Sequence, residues 1–300
     1  MNHYKLHTGI SRTYPVTNKE DFENQTGKDG NYQYSGKDGK KRGLGVCPSC
    51  DNPVRILGIF NKIDQIPHAR HHNKSTAFAT FDESAYYHCP EARPDGNYIR
   101  DMASKERELS AYEKKMYYAM RNYYDKVIYI LRKDLNLYIS NSLAERMLKE
   151  FVKNKGYMRP DASLYNLPWV LLDSTYSFSI IKRIVKKDTE LNSFLRKRDD
   201  VTLVSYNEAY DLIESKPGEY TVLIGHFIHH KRNVVDGILT ETIQFRLSDS
   251  KDVPIHWIYK ETYEINQYRF PNLCEKGKNK YRDQKLLDIA VKVMPDIYSF

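Results

Sequence analysis

Cysteine is scarce in this chain of 300 residues, with four in all. So low a count argues against a disulfide-stapled secreted scaffold and fits a reducing cytoplasm. Long apolar runs are missing as well. Nothing approaches the roughly 18 consecutive apolar residues that a membrane-spanning helix needs, and nothing resembles a secretory signal. A phosphate loop is also missing. The small repeat Gly27-Lys28-Asp29-Gly30 and Gly36-Lys37-Asp38-Gly39 lacks the GxxxxGK[ST] spacing and has no strand leading in, so it reads as a mobile basic loop. No internal repeat of solenoid length is present.

What is there begins with charge and tyrosine. Lys and Arg together number 47 against 39 Asp and Glu, a formal charge of +8. That excess accommodates nucleic acid, and a Lys-rich solvated surface accounts for it equally well. Tyrosine is the unusual count, at 25. It combines a large apolar face with one polar tip, and in a chain this polar part of it has to be exposed, which points to a broad contact surface.

The cysteines are rare but concentrated. Three of the four fall in one window, where Cys47-Pro48-Ser49-Cys50 is followed by Pro67-His68-Ala69-Arg70-His71-His72 and then His88-Cys89-Pro90. Two thiols at CxxC spacing can reach one tetrahedral ion from a tight turn, and a His-x-x-His pair or a further Cys can close the site across a short hairpin. A structural zinc site is therefore expected. Cys47 and Cys50 are the firm pair, His68 and His71 the expected partners, and Cys89 the alternative ligand. His72 and His88 compete for the same two places. Cys274 stands apart with no evident role.

The chain divides on pattern into a flexible polar region (1–45), a zinc-binding module (46–100), a central α/β domain (101–215) and a strand-rich C-terminal region (216–300). Within the module Val54–Phe60 reads as a strand. Leu109, Tyr112, Met116, Ala119, Tyr123, Val127 and Ile130 step by three and four along one face, which predicts a long helix from Ser104 to about Arg132. Leu135–Ser140 alternates like a strand. Ser142 and Glu145 have capping-box spacing for a helix that Gly156 would close. Strands are expected at Met158–Tyr165 and Trp169–Ser174, turned at Asn166-Leu167-Pro168. A helix over Ile180–Lys197, a strand at Val201–Ser205 and a short helix from Glu208 follow. Strands at Tyr220–Ile228, Thr242–Leu247 and Ile255–Tyr259 precede a helix around Asp283–Val293.

The second chemical hint lies on the expected strand pair. Asp161 on one strand and Asp173 on its neighbour could converge on a divalent cation, magnesium for instance, and activate water against a phosphodiester. PD-(D/E)xK nucleases use that geometry, but the position of their Lys is Thr175 here, and Lys182 and Arg183 are the nearest cations. His229, His230, Lys231 and Arg232 form a basic cluster ending a strand and are the candidate contacts to nucleic acid or to a partner.

The CxxC, the His-x-x-His pair, the long helix, the Arg-Pro-Asp strand and the acidic strand ending in Ser resemble the competence protein CoiA-like family over roughly residues 46–205. Cys47, Cys50, His68 and His71 match the first motif; Arg159, Asp161 and Ser174 or Ser177 fall near the second. The resemblance implies a zinc-ribbon-like module joined to a nuclease-like three-layer domain, within an α/β or α+β fold. The chain departs from the family at Asp173 and Thr175, where a Glu followed by Gln or Lys is usual, and in its additional Cys89. A nuclease scaffold whose site lacks its cation suggests reuse as a non-catalytic binding protein. The expectation is a phage-encoded inhibitor that blocks a bacterial nucleic-acid-processing defence complex in the host cytoplasm, comparable in size to Gabija anti-defence proteins. A metal-dependent DNA nuclease and a zinc-stabilised nucleic-acid-binding protein are the alternatives.

Overall fold

The computed structural model describes all residues except 10–11, 61–65, 88, 90, 93–107, 160, 176, 236–237, 250–254, 268, 276–280 and 298–300. The fold is α+β with antiparallel sheets. The chain divides into two compact units. The first comprises residues 1–116, 158–165 and 233–240; the second comprises 117–157, 166–232 and 241–300. Among the described residues no helix is long and apolar enough to cross a membrane.

The first unit is built on one sheet of β1 (His3–Lys5), β2 (Thr13–Pro15), β3 (Gln33–Ser35), β4 (Lys41–Val46), β5 (Pro53–Leu57) and β6 (His68–His71). The strand order is β2-β1-β4-β5-β6, with β3 also paired to β4. Residues 1–45 are thus no free arm: they supply β1, β2, β3, the helix α1 (Lys19–Gln25) and most of β4. The two copies of the Gly-Lys-Asp-Gly repeat serve as turns, the second joining β3 to β4. One face of the sheet buries Tyr4, Phe22, Val54, Ile56 and Ala69. β4 is glycine-rich because these rings lie against its backbone. A Cβ on Gly43 would sit 2.8 Å from the Phe22 ring, and one on Gly45 would sit 2.7 Å from that of Tyr4. A short helix, α2 (Glu83–Tyr87), leads to Cys89.

The expected long helix is two helices, α3 (Ala111–Asn122) and α4 (Tyr124–Asp134), broken at Tyr123, where φ is −124° and ψ 26°. Residues 104–107 lie outside the described residues. The buried stripe runs through Met116, Met120 and Tyr124 instead of Ala119 and Tyr123. Next comes α5 (Asn141–Lys153), capped by Ser140, whose side chain accepts from the Leu143 N–H, and not by Ser142. Asn154 closes α5 and Lys155 takes the left-handed conformation assigned to Gly156. Leu135–Ser140 is no strand; it contributes one bridge, Leu137 to Val185.

Among the described residues the expected pair of strands is not formed. Met158 ends a 3-10 turn (Gly156–Met158), the described residues from 159 to 165 belong to no strand, and Trp169–Ser174 falls on and just past α6 (Leu167–Asp173). Pro168 lies in the first turn of α6, where its missing N–H has no helical partner to lose. Leu167 to Leu172 are all buried, so the run has no polar face to reveal a helical period. Ile180–Lys197 is likewise not one helix. After β7 (Phe178–Ser179) it forms β8 (Ile184–Lys186) and α7 (Glu190–Arg196), with positive φ at Lys182 and Asp188 turning the chain between the three. β9 (Val201–Ser205) matches its expected bounds. β10 (Tyr210–Ser215) stands where a helix from Glu208 is expected.

In the second unit β8-β10-β9 make a three-stranded sheet, and β13-β12-β11-β7 a four-stranded one. The latter contains β11 (Ile224–Val235), β12 (Ile238–Ser248) and β13 (Trp257–Glu264), with the parts of β11 and β12 inside 233–240 counted in the first unit. α8 (Arg269–Glu275) and α9 (Gln284–Val293) end the described chain, and Asp283 caps α9. Helix α9 packs on α5 and α4 around Leu286, Ala290, Leu131 and Leu148.

Candidate metal centre

The turn Cys47–Cys50 joins β4 to β5 and is shaped by its own backbone. The Cys47 N–H donates to the Asn52 carbonyl at 2.8 Å, and the Asp51 N–H to the Cys47 carbonyl at 3.2 Å. Asp51 adopts a φ of 60°, a left-handed position that Asp tolerates better than most residues. This folds both thiols to one side. His71, at the end of β6, and Cys89, beyond α2, complete a group whose ligand atoms all lie within 4.8 Å of one another. The Cys47 and Cys89 sulfurs are 3.6 Å apart, and Cys50 Sγ lies 3.3 Å from His71 Nε2.

These separations fit a tetrahedral ion. With Zn–S near 2.3 Å and Zn–N near 2.0 Å, tetrahedral geometry sets ligands about 3.5–3.8 Å apart. Burial alone would raise all three thiols. It does so for Cys50 and Cys89, helped by the neighbouring Cys47, whereas hydrogen bonds from Cys50, Cys89 and His71 hold Cys47 well below its usual value. A buried group of three sulfurs therefore supports one thiolate unaided; a cation is what would allow all three to ionise.

His68 is not in the group. Residues three apart on a strand point to opposite faces, so the His-x-x-His spacing that suits a helix cannot deliver both rings here. His68 Nδ1 instead lies 3.0 Å from the Ile66 carbonyl, and Cys89 takes the fourth place. His72 stacks on Tyr34. His88 lies outside the described residues. The parity of a strand could have chosen His71 over His68; the position of Cys89 had no local signal.

The ligands are held from behind. Asn52, fully buried, donates to Cys50 Sγ at 3.4 Å and to the Asp82 carbonyl at 3.0 Å, and its Oδ1 accepts from the Asp82 N–H at 2.6 Å. Tyr86 meets the His71 ring edge-on at 5.2 Å. Below the turn, Asp51 pairs with Lys5, whose ammonium also donates to the Gly9 carbonyl at 2.8 Å and to Tyr165 Oη at 2.7 Å. The Lys5 side chain is 1% exposed. Burial and the Asp51 carboxylate push the Tyr165 phenol up, so it stays a neutral donor.

Comparison with protein-family profiles, curated proteins and solved structures finds no match to this chain.

The remaining expected site residues are scattered. Asp161 belongs to the first unit and Asp173, the last residue of α6, to the second. Arg159 grips Asp161 through two hydrogen bonds of 2.9 and 2.7 Å, so that carboxylate is already neutralised. Ser174 is buried, and the Ser177 carbonyl accepts from Arg146. Lys182 and Arg183 lie in the turn between β7 and β8, not on a helix.

His229 to Arg232 lie inside β11 and not at its end. His229 and Lys231 are exposed, while the Arg232 side chain is outside the described residues. His230 is not a surface contact: its side chain is 4% exposed and its Nε2 lies 2.8 Å from Glu241 Oε2. Glu241, itself fully buried, also accepts from Asn166 at 3.2 Å and Gln267 at 3.0 Å.

Proposed function

We propose that the chain is a zinc-stabilised binding protein that acts by contact and not by turnover, on an assembly that handles nucleic acid. The observation that carries this reading is the Cys47, Cys50, His71 and Cys89 group. Four protein ligands fill a tetrahedral zinc ion and leave no open position for water or substrate, the arrangement of a structural site. Among the described residues the carboxylates that magnesium-assisted hydrolysis would need form no comparable group. Asp161 is engaged by Arg159, the expected strand pair is absent, and Thr175 is neutral and buried, its hydroxyl donating to the Leu171 carbonyl at 2.7 Å. Exposed Tyr129, Tyr206, Tyr220 and Tyr281 supply aromatic contact area of the kind enriched at interfaces. Blocking of a bacterial defence complex by a phage protein is the narrower form of this proposal.

The test is cleavage. Purified protein incubated with magnesium or manganese and single- or double-stranded DNA is expected to leave both intact while retaining its zinc. Specific cleavage lost in Asp161→Ala or Asp173→Ala would overturn the reading and restore the nuclease.

A further inference from the structure

The face of the first unit's sheet opposite its core is basic in a way that packing does not explain. Alternation along β4, β5 and β6 puts Leu44, Arg55 and Arg70 side by side on that face, Arg55 pairing directly with Leu44 on one side and Arg70 on the other. Like charges directly opposed across strands are destabilising. Among the described residues neither arginine makes an ion pair; Arg42, on the same face, is bound to Asp38 at 2.5 Å. Arg55 Nε and His72 Nδ1 are both buried without a hydrogen-bond partner. A buried polar group left unpaired forfeits about 1–3 kcal/mol. The buried, unpaired Arg55 Nε beside the charge of Arg70 describes a site complementary to an anion with several acceptor oxygens.

Arg55, His68 and Arg70 also line a cleft of about 900 Å³. The same cleft is lined by Phe81, Tyr86 and Tyr87, and by Glu83 and Glu91. The volume lies within the roughly 300–1,000 Å³ of small-ligand sites. Two cations and three rings lining one cleft match a nucleotide, with phosphate on guanidinium and base on ring. Rings set inside a cleft can only be reached by a base that is already unstacked. Glu83 and Glu91 line the same cleft, so the phosphates are assigned to the arginines.

We propose that this cleft binds single-stranded nucleic acid, with successive backbone phosphates on Arg55 and Arg70 and an adjacent base against Phe81, Tyr86 or Tyr87. The inference deepens the contact reading by naming the chemistry of a partner, and it rests on that reading only in that binding need not lead to cleavage.

Fluorescence anisotropy with a labelled single strand of roughly 12 nucleotides tests it. Binding is expected at micromolar concentrations, with log K falling by about 1.4 per decade of salt for two phosphates neutralised. Arg70→Gln, at an exposed position that leaves the fold alone, should weaken binding about tenfold and reduce the salt slope by about 0.7. Tyr87→Ala should weaken it with the slope unchanged. Lys285→Gln, at an exposed position of the second unit, should do neither. Unchanged binding in Arg70→Gln and Tyr87→Ala overturns the proposal, as does no binding of the strand. Displacement of the strand by equimolar inorganic phosphate or ATP also overturns it, and identifies a free phosphate ester as the ligand. The same samples run on a denaturing gel separate the two readings. Cleaved strand refutes action by contact, whereas intact, unbound strand refutes this site alone.

Discussion

Replacing Asp51 by Asn removes one negative charge from beneath the metal turn and little else. Asn has nearly the same shape, tolerates the left-handed backbone at φ 60° and still offers an oxygen to the Gly9 N–H, which donates to Asp51 at 3.1 Å. What changes is Lys5. Its ammonium is 1% exposed and would keep two neutral acceptors, the Gly9 carbonyl and Tyr165 Oη, without a counter-ion. Stranding one partner of a buried pair costs about 3–5 kcal/mol. Asp51 is itself 30% exposed, so the lower end applies, about 3 kcal/mol. Hydrogen exchange reads this directly in peptides covering β1 and β4, separately from the second unit. Their protection should fall by about two orders of magnitude, at 1.4 kcal/mol per decade. The double variant Lys5→Met with Asp51→Asn removes the stranded charge and should recover most of that loss. A change under about threefold in the single variant, or additive losses in the double, would refute the argument that Lys5 depends on Asp51.

Two further outcomes are expected. His230→Ala should lower the stability of the second unit by about 1–3 kcal/mol through the hydrogen bond that buried Glu241 loses, while Lys231→Ala leaves it within about 0.5 kcal/mol. Both tryptophans, Trp169 and Trp257, lie in that unit, so their fluorescence in urea measures it; equal midpoints for the two variants would contradict the buried role of His230. The Asp38 carboxyl is held at about 2 chiefly by the hydrogen bond from Arg42. A depressed folded value means the link is present above the ordinary carboxylate range and lost as pH falls towards 2. A carbon NMR titration of Asp38 should show that low midpoint and its return to the ordinary range in Arg42→Gln, and an ordinary midpoint in both would remove the link.

Much of the metal centre was legible because CxxC spacing constrains two sulfurs to one turn whatever the surroundings. The third ligand needed one more fact, that residues 68–71 form a strand, from which His68 and His71 must diverge. Cys89 follows from tertiary proximity and had no periodic signal. The failures have related causes. Trp169 to Leu172 are buried throughout, and a run with no wet side gives neither period two nor period 3.6. The break in Ile180–Lys197 sits at Lys182 and Asp188, non-glycine residues with positive φ that composition does not announce. Where one face is wet and the end carries its own cap, as in α9 after Asp283, the reading and the structure agree.

The claim on which the rest stands is that one zinc ion is held by Cys47, Cys50, His71 and Cys89. Metal analysis of the purified chain and of two variants addresses it without reference to function. The account predicts about one zinc per chain, near-complete loss in Cys89→Ser and no loss in His68→Ala. Zinc retained in Cys89→Ser and lost in His68→Ala would contradict it.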